Sequence, residues 1–193
     1  MRNKNDKDRR RRRRKRRTQV IIIYTAIAIG LAWFFESQAT TTILFVRHAE
    51  KVAVEGDDPG LSEAGTRRVA ELTRQLVDAD VVAGIDAIYA TPFKRSQETV
   101  QPIADALSLP IRTYDAEDTN HVLEKILRKH KGKVILVVGH SNTLPTLIAN
   151  LGASKKVPRI AEGEYDNIYI VSIPWFGKSK TIRLRFGEPY QLN

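Results

Sequence analysis

The sequence predicts an α/β fold, a three-layer α/β/α sandwich around a mostly parallel sheet. Three observations carry that expectation. From residue 41 onward, apolar runs alternate with amphipathic helical patterns. The runs are continuous, as strands buried on both faces require. The 193 residues leave room for one domain of roughly 150 residues, large enough to bury about 70% of its unfolded surface.

The elements follow in order. Thr41 to Val46 reads as the first strand, and Ser62 to Val77 as an amphipathic helix with Val69, Leu72 and Leu76 on one face. Ile85 to Thr91 is the next strand; Pro92 ends it and Lys94 to Leu107 runs as helix. Ile111 to Tyr114 is a short strand. Thr119 caps a helix whose stripe is Val122, Leu123, Ile126 and Leu127, ended by Gly132. Lys133 to Val138 is the most apolar strand and is assigned to the centre of the sheet. Ser141 or Asn142 caps a helix over Leu144 to Leu151. Asn167 to Ile173 and Lys180 to Phe186, joined through Pro174 to Ser179, add an antiparallel edge.

In such a sheet, functional groups collect beyond the carboxyl ends of the strands. His48 and His140 both sit where an apolar run stops: Leu44-Phe45-Val46-Arg47-His48 and Val137-Val138-Gly139-His140-Ser141-Asn142. Arg47 precedes the first histidine, and Arg95 follows the strand ending at Thr91. Arginine presents a fork of donors matched to phosphate oxygens, and neutral imidazole is a nucleophile. The combination points to phosphoryl transfer through a histidine. His121 and His130, on the helix before Gly132, read as structural or surface residues. A zinc site built from His48, His140 and Glu50 is the competing reading. Arginines beside the ligands oppose a dication, and no His-Glu-x-x-His helix exists.

These segments resemble the histidine phosphatase superfamily, which includes phosphoglycerate mutases and phosphomonoesterases, over about residues 41 to 193. Arg47-His48-Ala49-Glu50 resembles the signature around its nucleophilic histidine, with Ala where Gly is commoner. Leu61-Ser62-Glu63-Ala64-Gly65 is similar to the segment opening its first helix, Arg95 to its second phosphate-binding arginine, and Gly139-His140-Ser141 to its second histidine. The resemblance implies a phosphoglycerate mutase-like fold, transient phosphorylation of His48, and no metal or organic cofactor. Arg47 and Arg95 then bind phosphoryl oxygens, His140 donates a hydrogen bond, and Ser141 and Asn142 add backbone N–H groups at a helix start. The other ring nitrogen of His48 needs a backbone carbonyl to fix its tautomer. The mutases also carry an asparagine six residues beyond the nucleophile; this chain has Val54.

A leaving alkoxide needs a proton, so a carboxylic acid is expected in the pocket. Asp118 is the first choice, Glu117 the next, and Asp115 and Glu50 are further candidates; Asp118 and its neighbours can equally cap the following helix. Glu55, Asp57 and Asp58 in the loop Val52 to Gly60 form an acidic rim. Tyr165-Asp166-Asn167 can serve the sheet or the pocket. The substrate is a phosphorylated small molecule or a phosphoprotein; a non-catalytic phosphate-binding module is the remaining alternative.

The formal charge of +10 resides in residues 1–17, which hold 12 Lys or Arg against 2 Asp; the rest of the chain is balanced. Residues 18–35 carry no charge and, as a helix, span about 27 Å, close to a bilayer's hydrocarbon thickness. The arginines favour a cytoplasmic amino end, which puts the domain on the extracytoplasmic side. The expected organisation is a basic tail over 1–17, a transmembrane signal-anchor over 18–35, a linker over 36–40 and the phosphatase domain over 41–193. Secretion after cleavage near Ser37-Gln38-Ala39 is the alternative. The basic tract pairs with anionic lipid headgroups in preference to nucleic acid, since no aromatic residues interleave it. The absence of cysteine excludes disulfides and thiolate chemistry.

Overall fold

The computed structural model describes residues 4–37, 40–53, 56–78, 84–154 and 156–190. Val54 and Glu55, and Gln38 and Ala39 of the expected linker and cleavage site, lie outside the described residues. The chain divides into two units, Met1–Gln38 and Ala39–Asn193.

The first unit is one helix, α1 (Lys4–Ser37). It runs through the basic tract, because Arg and Lys are themselves good helix formers. Within it, Arg9–Phe35 is long and apolar enough to cross a membrane, a test that a signal sequence also passes. Its large apolar side chains from Val20 to Phe35 are exposed, and a helix apolar all round satisfies its own backbone in lipid.

The second unit contains β1 (Thr40–Arg47), α2 (Glu63–Val77), β2 (Ala87–Ala90), α3 (Lys94–Leu107), β3 (Ile111–Thr113), α4 (Thr119–Lys129), β4 (Val134–Gly139), α5 (Leu144–Asn150), β5 (Asn167–Pro174) and β6 (Lys180–Arg185). The sheet order is β3-β2-β4-β1-β5-β6. The first four strands in that order are parallel, and β5 and β6 add the antiparallel edge. β4 lies between β2 and β1, with Ile135 to Val138 fully buried.

Successive strand residues face opposite layers. Ile43, Phe45, Ile135 and Val137 pack with Val122 and Ile126 of α4 and Leu144 and Leu147 of α5. Leu44, Val46, Leu136 and Val138 pack with Leu72 of α2 and Val100 and Ile103 of α3. Leu76, on the predicted α2 stripe, joins the second layer only partly buried.

Helix ends depart from expectation in two places. Asp118, not Thr119, caps α4, which stops at Lys129; Gly132, at φ +71°, makes the turn into β4. Thr143, not Ser141 or Asn142, occupies the cap position of α5.

Ser62 caps α2 through the Gly65 N–H (3.1 Å), and the Ser62 N–H and hydroxyl both donate to the Glu50 carbonyl (2.8 and 3.2 Å). Gly65 lies so close to that carbonyl that an added Cβ would stand 2.2 Å from its oxygen. Gly65→Ala is therefore expected to cost about 1–3 kcal/mol by overpacking. It should also lower activity by displacing the Ala49-Glu50 segment, and denaturant unfolding of the full chain in detergent measures the first effect.

Candidate active site

The parallel pairing of β1 with β4 sets Arg47 opposite Gly139, and the His48 N–H donates to the Gly139 carbonyl (3.0 Å). His48 and His140 therefore leave adjacent strands side by side, their ring centroids 5.2 Å apart. On the other flank of β4, Ala90 of β2 pairs with Val138, which brings Thr91 beside His140. Phe93 starts α3 with its ring 5.1 Å from that of His140, and Arg95 lies in the first turn of the same helix.

His48 is buried, and its Nδ1 lies 2.8 Å from the Ala49 carbonyl. A carbonyl only accepts, so Nδ1 carries the hydrogen and the lone pair of the neutral ring is on Nε2. His140 is held by its other nitrogen: Nε2 lies 3.0 Å from Thr91 Oγ1, which is 2.7 Å from Ser96 Oγ. Thr91 and Ser96 are fully buried. Thr91 Oγ1 donates to Ser96 Oγ and so accepts from Nε2–H of His140, which puts the lone pair of the neutral ring on Nδ1.

Arg47 Nη1 donates to the carbonyls of Ala161, Glu162 and Glu164 (2.8, 2.7 and 3.0 Å). Its guanidinium carbon sits 3.9 Å from the ring centroid of Tyr165, and its Nε is buried without a partner. Arg95 is 4.5 Å from the Phe93 centroid and 3.6 Å from Asp58 Oδ1. Asp58 also accepts the Lys94 N–H, so it fixes the start of α3. The side chains of Arg47, His48, Arg95 and His140 line one pocket of about 650 Å³ together with Ser141 and Asn142. Fixed cations at the rim of a part-dry cavity suit a tetrahedral oxyanion.

The carboxylates sort differently from expectation. Asp118, the first choice for proton donor, is not among the pocket-lining residues; its carboxylate accepts the His121 N–H (3.1 Å) as the α4 cap. Asp115 and Glu117 line the pocket, and Asp115 Oδ1 accepts the Glu117 N–H (2.9 Å). Glu50 points its carboxylate to Arg68 (2.7 Å), away from the histidines. α5 spans only seven residues, so its dipole is small at Ser141 and Asn142.

Thr91, Ser96, Phe93 and Lys51 went unsingled in the sequence, although Thr91 and Phe93 flank the Pro92 that ends a strand. Tyr165 and Asp166 separate: Tyr165 lines the pocket, while buried Asp166 binds Arg185 on both oxygens (2.8 and 2.7 Å). Asn167 is buried in β5. His130 meets the Tyr89 hydroxyl (3.0 Å) and His121 is exposed.

Burial drives the His48 imidazole down to about 3, helped by His140, Arg47 and Arg95 and opposed by the hydrogen bond to Ala49. His140 falls to about 4 through burial and the charges of Arg95 and Arg47. Both rings are neutral at physiological pH. An unfolded histidine protonates near 6.5, so below that pH the unfolded chain binds more protons than the folded one. Stability is whole above about 6.5 and declines as pH falls toward the folded values. His140→Gln is expected to flatten that decline, as read by thermal unfolding of the full chain across the acid range.

The sequence profile of the histidine phosphatase superfamily (branch 1) matches residues 43–118, which include Arg47, His48 and Arg95. No curated protein matches the chain. The solved structure of the protein histidine phosphatase SixA complexed with tungstate is 18% identical, with a TM-score of 0.60 over 75% of this chain and 96% of that one. Mycobacterial glucosyl-3-phosphoglycerate phosphatase is 12% identical, with a TM-score of 0.57 over 76% and 98%. Phosphoglycerate mutase from Plasmodium falciparum is 17% identical, with a TM-score of 0.55 over 80% and 95%. At these identities the likeness is one of fold, and the fold of this chain is that of the histidine phosphatase superfamily.

Proposed function

We propose that the chain is a phosphomonoesterase that works through a phosphohistidine on His48. The observation that carries this reading is the tautomer: Ala49 holds Nδ1–H of His48, so the nucleophilic lone pair is on Nε2, in the pocket shared with both arginines. Arg47 and Arg95 bind the phosphoryl oxygens and spread the charge that develops in an in-line transfer. His140, whose Nε2–H is held by Thr91, donates Nδ1–H to the same group once it takes up a proton beside the bound anion. Nε2 of His48 attacks phosphorus as the ester P–O bond breaks, and Glu117 gives its proton to the leaving oxygen. The phosphorylated ring keeps Nδ1–H on the Ala49 carbonyl, which steadies its positive charge. Water then attacks phosphorus, Glu117 takes the proton, and phosphate and free His48 are released.

Glu117 replaces Asp118 as the proton donor because Asp118 is engaged as a helix cap while Glu117 lines the pocket. A phosphoprotein substrate is the second reading. It is favoured by the short connection from Tyr114 to Asp118, part of which lines the pocket. The likeness to a protein histidine phosphatase agrees with it.

Full-length protein in detergent should release phosphate from an aryl phosphate, and His48→Ala should abolish release. An alkaline denaturing quench should trap label on wild-type protein only, since the P–N bond is acid-labile. Glu117→Gln should lower kcat about 10²–10⁴-fold on an alkyl phosphate. It should do much less on a dinitrophenyl ester, whose leaving group needs no proton. Equal losses on both esters would remove Glu117 from the role. Activity confined to phosphoproteins would favour the second reading.

Residues 18–35 of α1 form an uncleaved anchor in this reading, with the catalytic unit on the extracytoplasmic side. Carbonate-washed membranes should retain a chain that still begins at its own amino terminus. A mature protein starting near Thr40 would make the segment a secretory signal.

A further inference from the structure

The end of the sheet opposite the pocket carries features that catalysis does not use. Thr40, the first residue of β1, pairs with Pro174, so the turn from Trp175 to Ser179 between β5 and β6 lies beside the start of β1. Phe176 is 89% exposed and Trp175 63%. Lys178 in the same turn and Lys180 at the start of β6 are both exposed. On the other side of β1, the Thr42 N–H donates to the Lys133 carbonyl and the Gly132 N–H to Thr41 Oγ1. Exposed Lys131 and Lys133 therefore stand at the same end. Lys133 is paired with Asp86 (3.0 Å), which leaves Lys131, Lys178 and Lys180 as exposed cations beside the aromatic pair.

Aromatic rings beside lysines at the tip of a hairpin have the composition of an interfacial anchor: rings favour the headgroup boundary, and ammonium groups favour anionic lipid. The chain itself says which surface is near. β1 begins three residues after Ser37 ends α1, whose last turns contain Trp33-Phe34-Phe35. We propose that the β5–β6 turn is a second membrane contact, with Trp175 and Phe176 entering the headgroup layer and Lys178 and Lys180 pairing with anionic lipid. This rests on the reading of α1 as a retained anchor.

The chain has two tryptophans, Trp33 and Trp175, which makes the test selective. Full-length Trp33→Phe protein, reconstituted into phosphatidylglycerol vesicles with brominated acyl chains, reports Trp175 alone; Trp175→Phe protein reports Trp33. The expected result is a blue-shifted Trp175 emission that the bromines quench, with less quenching after Lys178→Glu and Lys180→Glu. Quenching of Trp33 without quenching of Trp175 overturns the contact and leaves the anchor standing. Quenching of neither overturns both. A blue-shifted Trp175 that bromines do not quench assigns the turn to a protein partner and also overturns the proposal.

Discussion

Two imidazole rings and two guanidinium groups share one pocket, and burial beside the arginines favours the uncharged form of both rings. Burial and the neighbouring arginines hold His48 and His140 near 3 and 4, far below the ordinary histidine value. The cations are tied down at the same time: Arg47 by three backbone carbonyls and the Tyr165 face, Arg95 by Asp58 and the Phe93 face. Cations held in this way need little reorganisation to meet an anion, and the neutral His48 ring keeps its lone pair on Nε2.

Much of this was legible in the sequence because it depends on strand ends. Continuous apolar runs locate β1 and β4, and a histidine just past each is a local feature that survives errors of a residue or two in the element bounds. α3 has the bounds that Pro92 and the helical pattern suggest. The carboxylates were not legible, because Asp115, Glu117 and Asp118 occupy a turn where one bond decides each role. Asp118 accepts the His121 N–H and becomes a cap, which leaves Glu117 at the pocket. The Thr91–Ser96 pair behind His140 was hidden for a different reason. Two hydroxyls five residues apart become partners only after the strand-to-helix turn folds them together.

The nucleophile's support and the second arginine are joined by a single hydroxyl. Thr99 Oγ1 accepts the Ala49 N–H (3.0 Å) and donates to the Arg95 carbonyl (2.7 Å), and it is almost fully buried. On the other side of Ala49, the Glu50 carbonyl takes two bonds from Ser62 at the start of α2. The peptide that fixes the His48 tautomer is therefore clamped between the two helices of one layer. A shift of α3 that moved Arg95 would also pull on Ala49 through this bridge. The positions of Arg95 and of the His48 ring are consequently set by one rigid unit.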